Sequence, residues 1–181
     1  FGDIDQKTSL QTLDRTNFFT KEIDEMLIEG KCRIAIHSAK DLPDPIPPEL
    51  QIVALTKGLD PRDALVFKNP GYTLATLPLR SRIGTSSLRR IEMLKKRRPD
   101  CTFVDIRGNI DTRLQLMETD VIDALVVAEC ALLRLQLQSL PRYIFDDETA
   151  PNQGRLAILA QKKDHEMKLI FSSICDKQSS T

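Results

Sequence analysis

The sequence contains no tryptophan, only 2 tyrosines and 7 phenylalanines, so aromatic residues make up 5% of it. A surface that stacks bases needs more, and single-stranded nucleic acid is a poor partner for such a chain. Net charge gives that reading no help, because 26 Lys+Arg balance 26 Asp+Glu. No run approaches the ~20 apolar residues of a membrane helix. The four cysteines, Cys32, Cys101, Cys130 and Cys175, are scattered without a C-x-x-C pair. That spacing argues against a disulfide framework or a zinc site; three of the four sit in apolar runs as buried free thiols, and a reducing compartment is expected. His37 and His165 lack metal-ligand company and read as structural. The patterns G-x-S-x-G, H-E-x-x-H and G-x-x-x-x-G-K-[ST] are missing, which removes the commoner hydrolase and nucleotide readings. The chain opens at Phe1 with no signal-peptide pattern.

What is present is ordinary globular content: 181 residues, 41% hydrophobic and 29% charged, enough for one core or two small ones. Charge is unevenly placed. Arg80 to Arg113 holds ten basic residues against four acids, an excess of +6, while the first fifty residues hold ten acids against six bases. Such asymmetry suits a segment that meets anions. Thr20 reads as a helix N-cap, with Ile23, Met26 and Leu27 as the apolar stripe and Gly30 as the stop. Residues 32–37 alternate as a strand that runs into a loop over 38–43, and 51–57 read as another strand. From Arg82 onward strand, loop and helix recur. Residues 82–83, 101–106 and 123–128 are the strands, and the helices after them carry Leu88, Ile91 and Leu94, then Ile110, Leu114 and Met117, then Leu132, Leu133 and Leu135. This alternation predicts an α/β fold with mainly parallel pairing. Residues 58–63 and 146–154 are candidate crossings between two domains, and 156–159 read as a buried strand returning to the first.

Arg89 and Arg90 fall in the first turn of a helix, where each opposes the dipole at a cost of ~0.3–1 kcal/mol. The loop before them, Gly84-Thr85-Ser86-Ser87, offers backbone N–H groups and the hydroxyls of Ser86 and Ser87. With the guanidiniums these form a site for an anion, carboxylate or phosphate. Arg107 and Arg113 repeat the arrangement one strand later, with Gly108 permitting a tight turn, and Arg134 repeats it again. Ligands of open α/β sheets sit outside the carboxyl ends of strands, where these loops fall. Asp41 follows a strand, beside Lys40, in a loop stiffened by Pro43. One reading makes it a turn residue; the other makes it an ionised carboxylate that stabilises a developing cation or shuttles protons. Lys95-Lys96-Arg97-Arg98 closes a helix and reads as a solvated terminus.

Five motifs occur in order: Phe19-Thr20-Lys21-Glu22, His37-Ser38-Ala39-Lys40-Asp41-Leu42-Pro43, Asp60-Pro61-Arg62-Asp63-Ala64-Leu65, Gly84-Thr85-Ser86-Ser87-Leu88-Arg89-Arg90, and Asp105-Ile106-Arg107-Gly108-Asn109-Ile110-Asp111-Thr112-Arg113-Leu114. Together they resemble the porphobilinogen deaminase (hydroxymethylbilane synthase) family. The resemblance implies two periplasmic-binding-protein-like domains with mixed, mainly parallel sheets around a central cleft, and a third α+β domain. It implies a transferase of tetrapyrrole (heme) biosynthesis that condenses four porphobilinogen units head to tail into hydroxymethylbilane with loss of ammonia. A dipyrromethane cofactor, held covalently by a cysteine of the third domain, primes the chain. On this resemblance Asp41 is catalytic, while Lys21, Lys40, Ser86, Ser87, Arg89, Arg90, Arg107, Arg113 and Arg134 bind the carboxylates of substrate and cofactor.

The expected boundaries are 1–61 plus 152–163 for a first domain incomplete at its N-terminus, 62–151 for the second, and 164–181 for the start of a third domain largely absent from this chain. Asn152-Gln153-Gly154-Arg155-Leu156 stands where the family usually has a G-Q-G-A-L-like run. None of the four cysteines has the preceding glycines of the cofactor cysteine, so that residue is expected outside this chain. The expected molecule is a cytoplasmic monomer acting on porphobilinogen, with no metal, nucleic acid or membrane partner. The alternative is a non-catalytic two-domain anion-binding module of solute-receptor type. Asp41 argues against it, because a carboxylate with no chemistry to serve repels an anionic ligand.

Overall fold

The computed structural model describes residues 20–176. Residues 1–19, which include Phe19 of the first motif, and 177–181 lie outside the described residues, as do the expectations placed on them. In chain order the elements are α1 (Lys21–Ile28), β1 (Ala35–Ser38), a 3-10 turn (Ala39–Asp41), β2 (Leu50–Leu55), β3 (Asp63–Phe67), β4 (Arg82–Gly84) and α2 (Leu88–Lys95). Then follow β5 (Thr102–Val104), α3 (Ile110–Glu118), β6 (Ala124–Ala128), α4 (Glu129–Arg134), β7 (Arg142–Ile144), β8 (Leu156–Gln161), α5 (His165–Phe171) and a second 3-10 turn (Ser172–Ile174). They form two compact units, which among the described residues are 20–60 with 150–176, and 61–149.

In the first unit β8 lies between β1 and β2 and pairs antiparallel with both. Leu27, Leu50, Ala157 and Leu159 bury together on one face, while Val53, Ile158, Ala160 and Met167 of α5 bury on the other. Each fully buried leucine is worth about 1.5–3 kcal/mol. Gly30 stops α1 in the left-handed region at φ 74, and Lys31 N–H reaches back to Met26 O. The stripe expected on α1 is only partly buried. Leu27 is, but Ile23 and Met26 are 43% and 41% exposed. Asp24 turns inward instead, its Oδ1 3.2 Å from Nε2 of the buried His37. Residues 164–176, expected to open a further domain, include α5, whose Met167 packs into this unit's core.

In the second unit the strand order is β5-β4-β6-β3-β7. β4 pairs parallel with β5 and β6, and α2 and α3 supply the crossovers that parallel neighbours need. β3 pairs antiparallel with β6 and β7. This sheet is mixed, with parallel pairing confined to β4, β5 and β6, while the first unit's three strands pair antiparallel throughout. Every residue of β3 and β6 is buried because both sheet faces are covered. Leu65, Phe67 and Val126 face Met93 and Leu94 of α2, whereas Val66, Leu125 and Val127 face Met117 of α3 and Leu132 of α4. Gly84 ends β4 where a Cβ would stand 2.6 Å from Ile122 Cδ1 and 2.9 Å from Ile106 Cδ1. Any side chain here would have to push those isoleucine ends aside.

The basic run 95–98 is the solvated terminus its composition suggests over Lys95, Lys96 and Arg97, which are exposed, but not at its last residue. Arg98 is buried and donates to Leu74 O, Pro78 O and the Asp100 carboxylate. Arg97 donates to both oxygens of Asp147, and its guanidinium lies over the Phe145 ring at 5.7 Å. The Leu74 and Pro78 carbonyls and the Asp100 carboxylate together satisfy the buried guanidinium of Arg98.

Candidate functional site

The first unit contributes the turn that carries Lys40 and Asp41. β1 delivers it, and Ala39 is pinned by donating its N–H to Arg155 O at 3.0 Å. Lys40 is half-buried and its Nζ donates to Gln153 Oε1 at 3.3 Å. Asp41 is exposed, and among the described residues its carboxylate forms no ion pair. Lys21 lies on the first turn of α1, exposed, with its ammonium 3.9 Å from Glu25.

The second unit contributes the loops at the carboxyl ends of β4, β5 and β6. After Gly84, Thr85 is buried and its N–H donates to Val104 O at 2.9 Å. Ser86 Oγ accepts from Ile106 N–H at 3.0 Å, and its own hydrogen is shared between the Asp105 carboxylate and Ile106 O. That stitches the β4–α2 loop to the β5–α3 loop. Ser87 occupies the N-cap of α2 but makes no side-chain cap bond, and the first turn holds no acid. Helix amides at this end remain available to an anion.

Arg89 and Arg90 converge on one carboxylate. Arg90 Nε and Nη2 donate to Asp63 Oδ1 at 3.1 and 2.8 Å, and Arg89 Nη2 donates to Asp63 Oδ2 at 2.5 Å. Arg89 Nη1 also donates to Glu148 O at 2.8 Å. Asp63 is 1% exposed and Arg90 8%, so Arg90 braces the buried end of the cluster, and Arg89, with its side chain 31% exposed, reaches the surface. At the end of β5, Gly108 has φ 93, and Arg113 Nε donates to Gly108 O at 2.8 Å. Arg107 and Arg113 are half-buried there, while Arg134 is exposed in the last turn of α4. The structure thus gathers Ser86, Ser87, Arg89 and Arg90 around one loop, ties Ser86 to the loop that carries Arg107, and leaves Arg134 on its own helix.

Other basic residues of the same stretch are committed elsewhere. Arg82 donates bidentately to Asp123, and this hydrogen bonding holds the Asp123 carboxyl below the usual carboxylate range. Arg98 does the same to Asp100, pulling its pKa well down. Burial pushes the neighbouring Cys101 thiol up. A cavity of about 650 Å³ lies at the opposite end of the second unit's sheet, lined in part by Lys68, Tyr72, Arg80, Asp120 and Asp123. The ion pairs Lys68–Asp120 and Arg82–Asp123 already balance charge there.

Several residues escape a sequence reading. Asp63 and Glu129 are acids adjoining apolar strands, and each anchors arginine: Glu129, 2% exposed, takes Arg142 bidentately at 2.8 and 2.7 Å. Burial beside an apolar run is the available signal for both. Gln153, 4% exposed, has none beyond its place before a glycine. Among the described residues no group of three or more His, Cys, Asp or Glu could hold a metal, and no helix is long and apolar enough to cross a membrane. All four cysteines are free.

Comparison with known proteins joins these observations. The family model described as "Porphobilinogen deaminase, dipyromethane cofactor binding domain" matches residues 1–169. The chain belongs to the porphobilinogen deaminase family. It is 43% identical to the "Probable porphobilinogen deaminase" of Chlamydia trachomatis over 94% of this chain and 69% of that protein. It is 40% identical to the "Porphobilinogen deaminase" of Roseiflexus sp. over 97% and 59%, and 44% identical to that of Caldicellulosiruptor saccharolyticus over 97% and 61%. The chain therefore spans about three-fifths to two-thirds of the length of these porphobilinogen deaminases.

Solved structures agree on the fold. A TRAP periplasmic solute binding protein from Pseudomonas putida F1, with bound D-glucuronate, matches at TM-score 0.52 and 13% identity, covering 87% of this chain and 63% of that one. An ABC transporter protein from Parabacteroides distasonis matches at TM-score 0.53 and 15% identity, covering 85% and 57%. Both units are thus periplasmic-binding-protein-like in this porphobilinogen deaminase family member. The dipyrromethane of the matched family domain carries several carboxylates. Its requirements fit the second unit in donor chemistry: the open start of α2, the serine hydroxyls, and guanidiniums at two successive strand ends.

Proposed function

We propose that this chain forms the catalytic and carboxylate-binding part of a hydroxymethylbilane synthase, a transferase that joins four porphobilinogen units head to tail and releases ammonia at each addition. The observation that supports it most is the start of α2. A helix with no side-chain cap, no acid in its first turn and two arginines there is built for an anionic ligand. Porphobilinogen brings two carboxylates, which forked guanidiniums match bidentately.

Dipyrromethane, when bound, supplies the pyrrole end on which units are added. Ser86, Ser87, Arg89, Arg107 and Arg113 would hold its carboxylates together with those of the incoming unit, with Lys21, Lys40 and Arg134 as further cationic contacts. Arg90 acts one step back, keeping Asp63 in place beneath Arg89. Asp41 has a different task. Breaking the aminomethyl C–N bond of a porphobilinogen expels ammonia and leaves a cation delocalised over the ring, which an ionised carboxylate stabilises electrostatically. C–C bond formation with the next pyrrole then releases a ring proton, and the same carboxylate would take it on.

The test uses the full-length protein and follows porphobilinogen consumption with formation of hydroxymethylbilane. Asp41→Asn should lower kcat by about 10²–10³ while KM stays within about twofold, the signature of an interaction made mainly in the transition state. Equal loss in both parameters removes the assigned role, and a wild-type protein that binds but never consumes porphobilinogen returns the chain to the receptor class.

A further inference from the structure

We infer that Asp24 and His37 are positioning residues for Asp41: their buried contact fixes the register of β1 against α1, and with it the turn that carries the Asp41 carboxylate. The inference rests on the deaminase reading, in which Asp41 meets the substrate ring. Along β1 the usual order of burial is reversed. His37 is 7% exposed, while the preceding Ile36 is 55% exposed. The facing helix shows the same reversal. Asp24 is 4% exposed, whereas Ile23 and Met26 close by lie at the surface. A helix turned to bury its full apolar stripe would gain the area of both. This one is turned so that a carboxylate meets an imidazole. Asp24 Oδ1 stands 3.2 Å from His37 Nε2, and neither atom hydrogen-bonds to any other group among the described residues. A bare Nε2 would set two lone pairs face to face, so the ring hydrogen belongs on Nε2, pointing at the carboxylate. Opposite His37 on β8 stands Ala157, a small residue beside which a ring can be buried.

The pair lies where it can act on the site. His37 comes four residues before Asp41, and only the end of β1 and the 3-10 turn separate them. Ala39 of that turn donates its N–H to Arg155 O at 3.0 Å, which fastens the turn to β8. Toward α1 the apolar contribution is one cluster that includes Leu27, Ala35 and Ala39. Apolar contact is non-directional and tolerates small shifts of a strand. A carboxylate and an imidazole buried together are satisfied at one register. Replacing such a pair with packed apolar residues often costs no stability, so placement, more than folding energy, accounts for polar groups in this position.

Two measurements on the full-length protein test this. Asp24→Leu combined with His37→Leu replaces the contact by apolar side chains. The double variant should melt within about 3 °C of wild type or higher. Assayed well below that temperature, its kcat for porphobilinogen consumption should fall about tenfold or more with KM within about threefold, because a displaced Asp41 misses the developing cation. A pair that serves folding alone gives the opposite split, a lower melting temperature with kcat unchanged. An unchanged kcat overturns the inference at any melting temperature. The second measurement needs no turnover and no double variant. In the ring-nitrogen NMR spectrum of wild type, Nε2 of His37 should carry the hydrogen, and its signal should move in Asp24→Asn. A bare Nε2, or a signal indifferent to Asp24→Asn, overturns the inference even if the double variant does not fold. A wild-type protein that never deaminates porphobilinogen sinks the functional reading instead, and the NMR result still decides the Asp24–His37 contact.

Discussion

Helices α2 and α3 leave the same end of one sheet, each after a strand parallel to its neighbour, and they begin in opposite ways. α3 starts on Asn109, whose side-chain oxygen accepts from Thr112 N–H at 2.8 Å, with Asp111 in the first turn. Local rules are satisfied there. α2 starts on Ser87, which could cap it and does not, and places Arg89 and Arg90 where the dipole disfavours them. The cost is offset inside the protein by Asp63, which takes both guanidiniums. One helix start satisfies its local rules, while the other leaves its first amides without a side-chain cap and depends on a distant strand for its stability.

The strongest way to break this comparison is to remove the compensating anion. Asp63→Asn leaves a buried arginine without a carboxylate and should destabilise the protein by about 3–5 kcal/mol in urea or thermal unfolding. A loss under about 1 kcal/mol would mean that α2 does not lean on β3 in this way. Exchanging the properties of the two starts gives a smaller and sharper effect. Ser87→Asp supplies α2 with a cap and an acid; stability should rise by about 0.5–1 kcal/mol while KM for porphobilinogen rises about tenfold, since the new carboxylate occupies the anion's place. Asn109→Ala should do the reverse at α3, costing about 1 kcal/mol with KM within about twofold. If Ser87→Asp keeps the wild-type KM, the open start of α2 is not where carboxylates bind.

The smallest effect concerns a third start. α5 is capped by Asp164, which accepts from Met167 N–H and is held by Arg33, whose hydrogen bonds keep its carboxyl below the usual range. A lowered folded-state pKa means the cap's contribution is complete above the ordinary carboxylate value of ~4 and is lost as pH falls through the lowered one. First-turn amides of α5 should therefore lose hydrogen-exchange protection as pH falls below about 4, while those of α3, capped by a neutral amide, keep theirs. Equal behaviour of the two helices would count against Asp164 as the titrating cap.

The alternation of strand and helix after Arg82 made β4, α2, β5, α3, β6 and α4 readable, because covered parallel strands are short apolar runs between amphipathic helices. β3 and β7 were not readable. Asp63-Ala64-Leu65-Val66-Phe67 has no period of its own and opens on a charge, and Arg142-Tyr143-Ile144 is too short to show one. For the site, the conflict between Arg89, Arg90 and the helix dipole was visible in sequence, as was the recurrence at Arg107 and Arg113. Which cations are spent internally was not. Arg82, Arg97 and Arg98 belong to the same basic stretch, yet each holds an aspartate. Their partners sit 41, 50 and 2 residues away, and only folding brings the two distant ones within reach.

The central position of β8 also sets an order of assembly. Among the described residues, β1 and β2 meet only through this strand, and the ribosome makes it after the whole of residues 61–149. During synthesis the early strands must wait with open edges while the contiguous unit matures first. The carboxylate at position 41 gains its final backbone anchor, through Arg155 O, only when β8 arrives. A nascent chain halted before that point would hold its arginine loops in a finished sheet and Asp41 on an unfinished one.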